Sequence, residues 1–91
     1  MREIKYKYKI DELLNNFSIT QYKLAMRIIP QQLNVSVKTF ANYRNIKLND
    51  SQDIPHEKVV TLEKLFDLEP GQLQNFVVRV KPIIKLSETI S

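Results

Sequence analysis

Apolar residues in this chain recur at helical spacing in short blocks, and each block is bounded by residues that start or stop helices. Ile10, Leu13, Leu14 and Phe17 form one stripe over residues 11–17, closed by Asn15 and Asn16. Ser18 and Thr20 are both placed to cap a second helix over residues 20–29, whose stripe is Leu24, Ala25, Ile28 and Ile29. Pro30 predicts a kink or restart there, because proline lacks the N–H and clashes with the preceding turn. Asn34 suits a left-handed helix end and Ser36 the cap of a third helix over residues 37–46. In that helix Val35, Phe40 and Tyr43 face inward and Lys38, Ala41 and Asn42 outward. Pro55 opens a fourth, with Glu57 in its first turn and Val59, Leu62, Leu65 and Phe66 as its buried stripe. A turn at residues 68–71 and a short helix at 71–75 follow, with Leu73 and Phe76 packing inward.

The two ends have a different period. Ile4, Tyr6, Tyr8 and Ile10 alternate with Lys5, Lys7 and Lys9, which predicts a half-buried strand at about 3–9. A second β-rich stretch, residues 76–81, ends at Pro82, and residues 87–91 read as a frayed tail. The expected fold is therefore mostly α, with four to five short helices in a single domain flanked by short N- and C-terminal strands. A chain of 91 residues supports one domain and a modest core.

The absence of cysteine excludes disulfides and thiolate metal sites. His56 is the only histidine and has no suitably spaced partner, so no metal site and no cofactor is expected. With one glycine, Gly71, a glycine-rich phosphate loop is excluded, and no nucleophile is paired with a base, so enzymatic function is not expected. The first residues lack the pattern of a signal peptide and no apolar run is long enough to span a membrane, which gives a cytoplasmic expectation. The net charge of +4 attracts polyanions, nucleic acid among them.

Four pieces of the chain, in order, resemble the lambda-repressor-like helix-turn-helix family, the Cro and XRE type. Ile19-Thr20-Gln21-Tyr22-Lys23-Leu24-Ala25 is similar to the start of the family's second helix, and Leu33-Asn34-Val35-Ser36 to its turn. Val37-Lys38-Thr39-Phe40-Ala41-Asn42-Tyr43 is similar to its recognition helix. Ile54-Pro55 through Leu73 is similar to its closing helices, and Phe66 through Leu73 is the nearest stretch. The resemblance spans residues 10 to 76. One departure stands out: Asn34 lies nine residues after Ala25, so Ile29-Pro30-Gln31-Gln32-Leu33 is an insertion that lengthens or kinks the second helix.

The resemblance implies a bacterial or phage DNA-binding transcription regulator, a repressor acting as a dimer on double-stranded DNA. It places Ser36, Val37, Lys38, Ala41 and Asn42 against base edges. Asn42 can pair bidentately with adenine, Lys38 can donate to guanine, and Val37 and Ala41 can meet a thymine methyl. Gln21 matches a phosphate contact at a helix N-terminus, and Arg44, Asn45 and Lys47 follow the recognition helix toward the flanking backbone. Lys38 and Asn42 read equally as solvated surface residues when taken one by one. The lysines of residues 5–9 read as phosphate contacts, as a solvated face or as charges guarding a strand edge. The terminal strands are candidates for a homodimer interface, or pair with each other within one chain. The competing function is a protein-interaction module on the same fold, such as an antitoxin or a phage adaptor. It is favoured by the acids Asp11, Glu12, Asp50, Asp53, Glu57, Glu63, Asp67 and Glu69, which temper the basic surface.

Overall fold

The computed structural model describes residues 5–85. About half of these are helical, in the order α1 (Ile10–Asn15), α2 (Ile19–Leu33), α3 (Val37–Arg44) and α4 (His56–Leu65), with residues 83–85 also helical. The core is one cluster in which Ile10, Leu14, Phe40, Leu62 and Leu73 are fully buried. Each contributes about 1.5–3 kcal/mol by leaving water. One such side chain comes from each of α1, α3 and α4 at least, and Ile29 and Leu33 bring in α2.

The helix ends follow the local chemistry. Ser18 accepts the Gln21 N–H at 3.1 Å while Gln21 Oε1 accepts the Ser18 N–H at 3.0 Å, a reciprocal cap for α2. At the other end Asn34 takes the left-handed conformation, with φ 54°, and Val35 N–H donates to Pro30 O at 3.0 Å. Ser36 Oγ accepts the Thr39 N–H at 3.0 Å and so starts α3.

Pro30 does not restart the chain as a new element: α2 runs through it for 15 residues. The ring is buried, which offsets the bond it cannot give to the Met26 carbonyl. The insertion thus becomes extra helix. Leu24 and Leu65, both expected in buried stripes, are substantially exposed, and Glu63, expected on the surface, is buried. The helix expected at 71–75 does not form. Gly71 has φ 89°, and Glu63 Oε2 accepts the N–H groups of Gly71 at 2.7 Å and Leu73 at 3.2 Å, so a side chain satisfies donors that a helix would have left to its own first turn.

The strands also differ from expectation. Residues 5–9 make two isolated antiparallel bridges, Tyr6 with Lys47 and Tyr8 with Gln74, and no ladder forms among the described residues. Lys7 N–H donates to Ile46 O at 2.9 Å and Lys9 N–H to Leu73 O at 2.8 Å, so this segment lies between two others and is packed from both sides. That is why the alternation fails to sort it: Tyr8 is buried, as expected, but so is Lys7. Residues 76–82 carry no secondary structure and stand exposed apart from a half-buried Phe76. The start of the first strand, residues 3–4, and the tail, 87–91, lie outside the described residues. None of the helices described is long and apolar enough to cross a membrane.

Candidate nucleic-acid interface

The site is built on α3. Phe40, with no exposed surface, pins the helix to the core, and Tyr43 and Arg44 flank it half-buried. At about 100° per residue, Val37, Lys38, Ala41, Asn42 and Asn45 share an arc of roughly 140° on the opposite side. Their exposure agrees: Val37 is 65% exposed, Lys38, Asn42 and Asn45 are exposed, and Ala41 is half-buried between them. One helix face thus carries two methyl-bearing surfaces, one ammonium and two amides. A connection of three residues, Asn34 to Ser36, holds this helix against the end of α2.

The side chains are not equally free. The Ser36 hydroxyl accepts from Thr39 N–H and donates to Thr39 Oγ1 at 3.0 Å, so capping already engages it in both directions. Asn45 Nδ2 donates to Ala41 O at 3.0 Å, which leaves one amide hydrogen and the oxygen. Gln21 uses its oxygen in the cap of α2 and retains its amide nitrogen as a donor at that helix start. Neither α2 nor α3 has an acidic residue in its first turn, whereas α1 has Asp11 and Glu12 and α4 has Glu57. The positive ends of α2 and α3 are therefore not screened from within.

Arg44 is placed differently from the other cations. Its Nε donates to Asp11 Oδ1 at 2.6 Å and its Nη1 reaches Met26 Sδ at 3.6 Å, so it ties α3 to α1 and α2. Burial works against its charge, but the bond and charge of Asp11, with a lesser share from Tyr22, outweigh this and hold its pKa above the ordinary value. Lys47 is exposed just beyond α3, and the bridge to Tyr6 fixes its backbone through Leu48 N–H to Lys5 O at 3.0 Å.

Next to the C-terminal end of the face, Asn42, Asn45, Ile46, Asp50 and Gln52 line an open depression of about 300 Å³. The Asp50 carboxylate accepts the Gln52 N–H at 3.0 Å and brings a negative charge to that end. The loop holding it is clamped by Lys7, whose ammonium donates to Asp50 O, Gln52 O and Asp53 Oδ1 at 2.7–2.8 Å. The sequence reading missed both Lys7 and Gln52 as members of this surround. Nothing local marks them, since the Lys7 partners lie more than forty residues away along the chain. Among the described residues no cluster of His, Cys, Asp or Glu is placed to hold a metal ion.

No protein-family model matches this chain, and neither a curated protein nor a solved structure gives a significant match to it.

Proposed function

We propose that this protein is a sequence-specific DNA-binding transcription regulator of the helix-turn-helix type, acting as a repressor and reading the major groove with α3. The observation that carries this is the outward face of α3. A short helix pinned by one buried aromatic exposes Val37, Lys38 and Asn42 from an N-terminal end free of acids, behind a three-residue turn from a preceding helix. Asn42 offers adenine a bidentate pair worth about 1–3 kcal/mol of discrimination, and Val37 offers thymine a methyl contact. Gln21, Asn45 and Lys47 supply phosphate contacts around it. Arg44 does not join them, because Asp11 already holds it; its part is to fix the angle of α3.

Asp50 beside Asn42 and Asn45 favours a second reading, in which the same face meets a protein partner. Fluorescence anisotropy with a duplex at low and moderate salt separates the two. DNA binding predicts affinity that falls steeply with salt and is lost in the Lys38→Ala/Asn42→Ala double variant. No binding to the duplex even at low salt overturns it and leaves the protein-interaction reading.

A further inference from the structure

Residues 77–82, Val77-Val78-Arg79-Val80-Lys81-Pro82, form an arm outside the core cluster. They carry no secondary structure and make no hydrogen bond or ion pair. Val77, Val78 and Val80 are 69–75% exposed, and Arg79 and Lys81 are exposed with them. There is no acid from residue 77 to residue 85. Unlike Lys7 and Arg44, whose charges are met by carboxylates within the fold, Arg79 and Lys81 are left for an anion from outside.

The root of the arm is fixed close to α3. Asn75 N–H donates to Lys7 O at 2.8 Å and Asn75 Nδ2 to Tyr6 O at 2.9 Å, and the Phe76 ring meets that of Tyr8 edge-on with centroids 6.2 Å apart. On its other side the same segment, residues 5–9, bridges from Tyr6 to Lys47, which follows α3. Two strand spacings, about 10 Å, therefore separate the root of the arm from the backbone of Lys47. Fully extended, six residues reach about 20 Å beyond that root.

We propose that the arm lies in the minor groove of the duplex that α3 reads, on the side of Lys47, and that it prefers A·T pairs there. This rests on the DNA-binding reading of α3. With α3 in the major groove and Lys47 at the flanking phosphates, the groove beyond that backbone is the minor one. At about 6 Å wide it admits a single unpaired chain but no helix. Along an extended arm Val78 and Val80 alternate with Arg79 and Lys81. The valines pack on the sugars of the walls, where bare phosphate contacts would leave them in water. The cations follow the negative potential, which is strongest where A·T runs narrow the groove. Guanine also projects an amino group into this groove and A·T pairs do not, so an A·T flank leaves the floor open. Arms that combine Arg or Lys with apolar side chains suit this placement.

The test uses the full chain and a duplex whose site is selected from a random pool, read by fluorescence anisotropy over a range of salt. Arg79→Ala/Lys81→Ala replaces two exposed, unpartnered side chains, which spares the fold. It is expected to flatten the plot of log affinity against log salt by about 1.8, the share of two phosphates, and to leave the preference within the α3 site unchanged. For the wild type, changing A·T to G·C pairs in the flank is expected to weaken binding about tenfold. Inosine in place of guanine is expected to restore it, because inosine lacks only the amino group that guanine shows to the minor groove. The double variant no longer distinguishes the flanks. A wild type that binds no duplex overturns the reading of α3 and the role of the arm with it. A wild type that binds, with a double variant of unchanged slope, overturns the role of the arm alone and leaves residues 77–82 to a protein partner. A flank effect that is absent, or that inosine does not restore, overturns the minor-groove placement.

Discussion

Lys7 shows how a charged side chain can sit 8% exposed without cost exceeding benefit: three oxygens surround its ammonium, two of them backbone carbonyls that have to be satisfied in place. Lys7→Met keeps the stem packed and removes the donor, so it is expected to cost about 2–3 kcal/mol, the worth of hydrogen bonds to a charged group. Urea denaturation would register this as a lower midpoint at unchanged slope. Asp53→Asn tests the salt bridge separately. Its carboxylate is 62% exposed, so the expected loss is under about 1 kcal/mol. Equal losses in the two variants would mean that the carbonyls matter less than the carboxylate. Tyr8, next in the chain, carries a pH dependence. Burial pushes its phenol above the ordinary value of 10.0, with Asp53 adding to the rise, while the bond from Ile54 N–H and the charge of Lys7 oppose it. With the folded pKa above the unfolded one, this contribution is fully present below pH 10. It is lost as pH rises through the folded value, because the unfolded chain releases the proton first. Stability is expected to fall with pH in that alkaline range more steeply in the wild type than in Tyr8→Phe. Parallel pH profiles would refute the assignment to Tyr8.

At the scale of the elements, α2 sets the clearest test, since Pro30 lies inside it. A proline in a helix interior is about 3 kcal/mol worse than alanine, mainly through the missing bond and the clash one turn back. Pro30→Ala restores an N–H for the Met26 carbonyl but gives up buried ring surface and frees the unfolded chain, which takes back part of the gain. The net expectation is a stabilisation of about 1 kcal/mol, read as a higher Tm, and a lower Tm would show that the ring's packing dominates. The same helix marks where local signals suffice. Ser18, Asn34 and Ser36 were legible as caps because a cap is a contact among neighbours, and Phe40 and Leu62 as core because period and polarity agree there. The outward face of α3 was legible for that reason too. The passage through Pro30, the burial of Lys7 and the irregular run at 71–75 were not. Each depends on a partner that a local pattern does not contain: the core around the ring, the carbonyls of the 50–52 loop, and the Glu63 carboxylate. Arg44 belongs with them, since only the fold brings Asp11 beside it and ties α3 to α1.

For the whole molecule, a net charge of +4 is a weak guide to DNA binding until the charges are sorted by what holds them. Lys7 and Arg44 are bound to carboxylates within the chain, whereas Lys38 and Lys47 stand exposed at the two ends of the α3 face. Only a cation that displaces a counterion from the phosphates contributes to the salt dependence of affinity, at a slope of about 0.9 per phosphate neutralised on duplex DNA. Lys47→Ala is therefore expected to flatten the plot of log affinity against log salt by about one and to leave the order of preference among sequences unchanged, because a phosphate contact positions without reading. If α3 reads DNA as proposed, Gln21→Ala is expected to weaken binding without altering the slope, as its donor is neutral. Arg44→Ala should also leave the slope unchanged. It releases Asp11 from its partner and loosens α3, so its effect appears as lower stability and as poorer discrimination between sequences. If instead Arg44→Ala lowers the slope as much as Lys47→Ala does, the guanidinium leaves Asp11 for the phosphates on binding, and the brace on α3 is exchanged for a DNA contact.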